Sequence, residues 1–381
     1  DSGGMMMKDA ERNEDLLSLN PQAGLGRLAD QTGGFMIRDT NDARAGFRQI
    51  AQDMRFHYVL GYTPTNQDYD GRFRKVSVKL VRRSGLEVQS RKGYFALKPG
   101  GTTPILPYEA PVVALLDRGG PAAQAFPLHT TALVFPAAGA NSQVPVLVQV
   151  PGTAVKYVPD PSQKDVLAAD LAVVVRIRNE FQQEVSRLSQ HFQLSTPAAK
   201  LKNAQGGDIL FYRQADLPAG RYTAQAIAYD ATAKAASLKT FNLEVPPASG
   251  ASLSTLVIIS RIEKVSTSER DPRNPLYYGD AIVYPSMGEP FSKSVTKALG
   301  FFFSARDPQP GQRAVLEVAK SGQLVGQLPL DLPAPNADGV IQSAGALPLA
   351  NFAPGDYELR LSLLSGSQKL ASRTAPFTVT E

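Results

Sequence analysis

The chain has no cysteine and no tryptophan. Lack of cysteine excludes disulfides, thiolate metal sites and a cysteine nucleophile, and it suits a reducing cytosol or a bacterial envelope compartment equally. No stretch approaches the roughly 20 apolar residues that a membrane helix needs. The longest uncharged run that could be mistaken for one, residues 126–155, is broken by Pro127, Pro136, Pro145 and Pro151. Histidine is scarce: His57, His129 and His191 fall in separate blocks, and none has a second histidine at metal-site helical spacing. A nucleophile elbow, a glycine-rich phosphate loop and a dinucleotide fingerprint are all missing. The pattern therefore points to no cofactor, no metal and no catalytic residue.

What is present is ordinary globular composition, 43% hydrophobic and 20% charged, in 381 residues. That length holds two or three domains, each able to bury a core. The 31 glycines and 29 prolines lie mostly between apolar runs, which favours many short strands over long helices. The start at Asp1, in a Gly- and Met-rich tract, reads as a start within a longer secreted protein.

Residues 1–20 read as a flexible exposed loop. A helix follows over 21–32, with Leu25, Leu28 and Ala29 at helical spacing and Gly33-Gly34 to end it. Phe35–Ile37 reads as a strand. Thr40 or Asn41 then caps a second helix, whose apolar stripe is Ala43, Phe47, Ile50, Ala51 and Met54. The period changes to two at His57–Tyr62 and again at Phe73–Val81, with return strands over 86–90 and 94–97. Residues 98–104 are a linker by composition, closing a first block at 21–100.

Beyond it the chain reads as all-β, beginning with a strand at Val112–Leu116. A Pro/Gly/Ser-rich boundary at 246–250 divides it into blocks at 101–247 and 248–381, each with seven or eight short strands. A repeat supports the division: residues 215–229 align without a gap on 350–364, so that Gly220 and Tyr222 match Gly355 and Tyr357. An apolar residue, then Gly-x-Tyr, before an alternating strand is the pattern of a tyrosine corner. The expected fold for both blocks is an immunoglobulin-like β-sandwich.

The first block carries a further likeness. Leu28-Ala-Asp-Gln-Thr-Gly-Gly34, Thr40-Asn41-Asp42, His57-Tyr-Val-Leu-Gly-Tyr62, Asp70-Gly-Arg-Phe73 and Arg91-Lys-Gly-Tyr94 together resemble the closing part of an acidobacterial-type von Willebrand factor A (VWA) domain. Tyr277 to Ser286 also looks like a segment found late in such proteins. The resemblance implies an α/β, Rossmann-like remnant ahead of the two sandwiches, an extracytoplasmic setting, and a binding or scaffolding role. A VWA domain holds its metal with an Asp-x-Ser-x-Ser loop, which this chain lacks. A parallel sheet needs cover on both faces, so residues 21–62 are expected to need a protein partner, whether an upstream segment or another subunit.

The remaining charge feature is a basic hairpin. Residues 72–98 hold Arg72, Arg74, Lys75, Lys79, Arg82, Arg83, Arg91, Lys92 and Lys98 against Glu87 alone, more positive charge than the whole chain's net +5. Such charge keeps sheet edges from pairing. As a functional surface it would meet an acidic protein, a polysaccharide or lipid head groups, whereas nucleic acid is disfavoured because no aromatics interleave on the charged face of the strand. Asp68-Tyr-Asp70-Gly71 looks like a calcium loop but has Lys79 where the twelfth-position Glu belongs, and so reads as a turn. The reading is a non-catalytic interaction subunit. A metal-dependent adhesion module and an unrecognised hydrolase are the alternatives.

Overall fold

The computed structural model describes residues 25, 29, 32–37, 42–55, 58–66, 68–81, 88–97, 105–118, 124–137, 139–247, 250–266, 271, 273–309, 311–336 and 338–381. The loop expected at 1–20 and most of the linker at 98–104 lie outside them. Contacts divide the chain into two compact units, parting at Pro121 and Ala122.

In the N-terminal unit, helix α1 spans Arg44–Arg55. Its start is held by Asp42, which accepts a hydrogen bond from the Arg44 backbone N–H at 3.0 Å and pairs with the Arg44 guanidinium at 2.8 Å. Thr40 and Asn41, expected in that role, lie outside the described residues. Before it, Gly33 adopts φ 75° and Gly34 donates to the Ala29 carbonyl at 2.8 Å, closing the turn that contains Ala29 and Thr32. α1 rests on Ile37 at Gly46, where any side chain would collide with the isoleucine. Strands β1 (Phe73–Lys75) and β2 (Gly93–Phe95) form an antiparallel ribbon with Arg74 opposite Tyr94.

Four expected strands do not form here. Residues 35–37, 58–62 and 88–90 have no ladder partner among the described residues. Val112–Leu116 lies inside a helix, α2, at Ala110–Arg118. A five-residue apolar run does not distinguish a strand from a buried helix. The helical signals were beside it: Pro111 fits a first helical turn, and the Glu109 side chain accepts from the Leu106 N–H at 2.9 Å. α2 groups with the residues before it, and Gly71, at φ 72°, is small because the Ala110 carbonyl sits against it.

The C-terminal unit is mainly β and built of sandwiches. Its first half contains β3 (His129–Ala132), β4 (Asn141–Pro151), β5 (Val158–Pro159), β6 (Val166–Asn179), β7 (Glu184–Pro197), β8 (Asp208–Pro218), β9 (Gly220–Asp230) and β10 (Ala235–Val245), with the short helix α3 (Leu201–Gln205) before β8. One sheet runs β10-β9-β6-β7, with β5 sharing the β9 edge of β6. The other runs β3-β4-β8.

The second half contains β11 (Ser252–Leu253), β12 (Val257–Lys264), β13 (Tyr277–Tyr278), β14 (Ala281–Pro285), β15 (Phe291–Ser292), β16 (Ala298–Arg306), β17 (Gln312–Lys320), β18 (Gln323–Leu330), β19 (Val340–Pro348), β20 (Gly355–Ser365) and β21 (Gln368–Thr380). One of its sheets runs β13-β14-β12-β16-β19, with β11 beside β12 on β16. The other runs β15-β21-β20-β17-β18. The halves repeat one plan. β4 pairs with β8 as β16 pairs with β19, and β10-β9-β6-β7 corresponds to β21-β20-β17-β18.

Alternation along the strands makes three cores. Val146, Val148 and Val150 of β4 meet Leu171, Val173 and Val175 of β6 inside the first sandwich. Phe301 and Phe303 of β16 meet Leu316, Leu359 and Leu361 inside the second. Between the two sandwiches, Leu133, Phe135 and Leu147 pack with Val257, Ile259, Tyr284 and Phe302. Val134 and Thr255 seal that seam: each backbone N–H is satisfied by the other residue, at 2.8 Å.

The repeat has a local physical basis. Tyr222 donates its hydroxyl to the Pro218 carbonyl and Tyr357 to the Ala353 carbonyl, both at 2.7 Å, with both rings buried. Gly355 takes φ 140°, which side chains rarely adopt, and Gly220 takes φ 159°, close to extended. Phe352 and Phe377 enclose the Tyr357 ring at 5.2 and 5.3 Å. Replacing either tyrosine with Phe removes one hydrogen bond and leaves the ring in place. The expected loss, read from denaturant unfolding, is about 1 kcal/mol for each variant; no loss at either position would mean that the corner does not support its sandwich.

Candidate interaction surfaces and the cleft between the sandwiches

The basic hairpin is only partly a free positive surface. Arg74 bonds Asp70 at 3.0 Å and the Asp68 carbonyl at 3.2 Å, Arg72 lies 3.6 Å from Asp70, and Arg118 of α2 pairs with Asp68 at 3.0 Å. Counting charge from residue 72 onward misses these two carboxylates. Lys75 is on β1 opposite Gly93, while Lys79, Arg91 and Lys92 lie on the segments that continue the ribbon. Arg82 and Arg83 lie outside the described residues. The hairpin thus brings Arg72, Arg74 and Lys75 together and ties the two arginines to acidic neighbours.

Asp70 shows the balance. Partial burial pushes its carboxyl up, but the Arg72 backbone N–H and the charges of Arg74 and Arg72 outweigh this and hold it below its ordinary 3.8. A carboxyl with a depressed folded-state pKa stabilises the fold above its unfolded value. That contribution is lost as pH falls through the lower, folded-state value. Carboxyl NMR titration should therefore place Asp70 below 3.8, with the hairpin loosening only under more acid conditions. A value at or above 3.8 would contradict the pairing.

A second surface is apolar. On α1, Phe47 is 66% exposed, Ile50 39% and Met54 74%. Immediately after it, Tyr58, Val59, Leu60 and Tyr62 are exposed by 92, 87, 72 and 61%. Seven large apolar or aromatic residues within sixteen positions is far more than scattered surface apolarity. The helix forms where its stripe predicts one, yet the stripe faces solvent.

In the C-terminal unit a cleft of about 450 Å³ opens between the sandwiches. Leu147 and Leu210 line it from one side, and Tyr284 and Met287 from the other. The Arg261 guanidinium lies 4.0 Å over the Tyr284 ring, and the Tyr284 hydroxyl donates to Glu263 at 3.2 Å. Burial and then the Glu263 charge raise that hydroxyl well above the usual tyrosine range. On the opposite wall the Gln149 amide donates to Asp208 at 2.6 Å. Ser260 is engaged with the Tyr284 and Pro285 carbonyls at 3.1 and 3.4 Å. These are orienting contacts between strands, and they join no nucleophile to a base.

Two carboxylates escaped the sequence pattern. Buried Asp230 accepts three backbone N–H groups, from Lys156 at 2.7 Å and from Thr232 and Ala233 at 2.8 Å, which makes it a clamp on two loops. His191 Nε2 lies 2.8 Å from Asp170 Oδ1 across β6 and β7, a pairing that only strand register reveals. His129 is half-buried on β3, and His57 lies outside the described residues. Among the described residues no group of three or more Asp, Glu or His is placed to hold a metal ion, and no helix is long and apolar enough to cross a membrane. Elemental analysis of the purified chain should find no stoichiometric divalent ion; finding one would overturn this account of the acidic residues.

No family model and no curated protein sequence matches the chain. Among solved structures it is similar to red sea bream transglutaminase, at 10% identity and a TM-score of 0.20 over 77% of this chain and 36% of that one. It is also similar to a calcium-binding mutant of Bacteroides uniformis β-glucuronidase 2, at 12% identity and a TM-score of 0.22 over 33% and 13%. Bifidobacterium dentium β-glucuronidase, in complex with coumarin-3-O-glucuronide, matches at 9% identity and a TM-score of 0.23 over 68% and 49%. The chain thus covers less than half the length of each. Likeness this slight carries no argument about function.

Proposed function

We propose that this chain is a non-catalytic interaction subunit, working outside the cytoplasm, whose N-terminal unit docks onto another polypeptide. The observation that carries this is the exposed stripe of Phe47, Ile50 and Met54, continued by Tyr58–Tyr62. Tyr58–Tyr62 has strand-forming residues but no ladder partner among the described residues. A surface that is both apolar and short of β-pairing is best satisfied by protein, which supplies apolar side chains and backbone hydrogen bonds together. Lipid would satisfy only the first. Arg72, Arg74, Lys75, Lys79, Arg91 and Lys92 would orient an acidic face of that partner, adding to encounter rate more than to affinity.

On this reading the N-terminal unit is the closing part of a VWA-related domain, and the sandwiches are immunoglobulin-like spacers. The partner is then an upstream segment of the same protein or a second subunit. Metal-dependent adhesion and hydrolysis have no observation of comparable weight behind them. A photo-crosslinking residue placed at Met54 in the native producer tests the proposal, with Leu370, an exposed apolar residue of the second sandwich, as control. The expected product is a defined polypeptide adduct from position 54 and none from 370. Lipid adducts, or equal labelling from both sites, would defeat the proposal.

A further inference from the structure

The duplication places two edge strands in equivalent positions, and they are guarded very differently. β7 borders the first sandwich on β6, and β18 borders the second on β17. β7 carries Glu184, Arg187 and His191. β18, Gln-Leu-Val-Gly-Gln-Leu-Pro-Leu, carries no charge at all and exposes Leu324, Val325 and Leu328 by 58, 55 and 39%. The contrast extends to the neighbouring edge. β8 has Asp208, Arg213 and Asp216, whereas its counterpart β19 is uncharged as well. One flank of the second sandwich therefore presents two uncharged edges, and no strand among the described residues pairs with β18 on its open side.

Exposed edges are ordinarily blunted by charge, by proline or by a bulge, because a strand's free N–H and C=O groups recruit other strands; β18 has a bulge at Val325 and Pro329 near its end, but no charge. We propose that β18 is a self-association edge, pairing antiparallel with β18 of a second copy about a two-fold axis. The occupant follows from charge: an ionic group opposite this flank would be desolvated without a counter-charge, and the same flank on another copy brings none. Geometry sets the register. The tight turn at Ser321-Gly322, with φ 51° and 80°, bounds the edge at one end. Pro329, which has no N–H to give, bounds it at the other. Gly326 lies midway. With Gly326 opposite Gly326 of the second copy, Leu324 meets Leu328, and the bulged residue Val325 meets Gln327. The inference is independent of the apolar surface on α1.

The absence of cysteine makes the test clean. Opposed residues in an antiparallel pair have Cα atoms about 4.5–5.5 Å apart, within disulfide range. A Cβ at Gly326 meets nothing within 4 Å, so Gly326→Cys leaves the fold undisturbed. The full chain carrying Gly326→Cys should form a covalent dimer under mild oxidation, and Val185→Cys on β7 should not. Light scattering of the unmodified chain from about 1 to about 100 μM should show a reversible dimer, weakened at least about tenfold by Val325→Lys. A monomer throughout that range, or equal cross-linking from both cysteine variants, overturns the proposal. So does a dimer abolished by Phe47→Asp but untouched by Val325→Lys, an outcome that would place self-association on α1 instead.

Discussion

The C-terminal unit depends on the fact that β4 and β16 are apolar on both faces. In β16, Leu299, Phe301 and Phe303 point into the second sandwich while Phe302, between them, points the other way. In β4, Leu147 stands out from the face opposite Val146 and Val148. A sheet with one wet face has no place for Phe302 or Leu147, so the two inner sheets must cover one another. The result is four sheets sharing three cores. Each sandwich keeps its own tyrosine corner, but neither can part from the other without exposing Phe135, Phe302 and Tyr284.

That fusion decides which faces of the sheets stay open. The inner faces are consumed by structure, and the cleft at their margin is lined by groups already bonded to one another, such as Gln149 with Asp208 and Tyr284 with Glu263. More exposed are the strand edges, and the apolar helix of the N-terminal unit. Duplication supplies two similar frames, and divergence of their edges, charged on β7 and uncharged on β18, gives each frame a different outer character.

Much of this was legible beforehand. Alternation placed most C-terminal strands, and the Gly-x-Tyr repeat located both corners, because each signal is local and each has a single physical meaning. The failures share a cause. Val112–Leu116 was too short for its period to separate strand from buried helix, and Tyr58–Tyr62 has a strand's residues without a ladder partner among the described residues. The third core was also hidden. Phe301-Phe302-Phe303 shows that both faces of β16 are apolar, but only register reveals that the extra face meets Leu147. Pairing that reaches across the chain, as between Asp68 and Arg118, was not visible in the pattern of charges.

The shared core is tested most directly by Phe302→Ala, with unfolding followed separately in the two sandwiches by hydrogen exchange of β6 and β20. Loss of so large a buried side chain should cost about 3–5 kcal/mol. If the inner sheets truly support one another, protection should fall together in β6 and β20, and calorimetry should show one shared transition for the C-terminal unit. Loss confined to β20, with β6 unchanged and two separate transitions, would mean that the sandwiches are independent and merely adjacent.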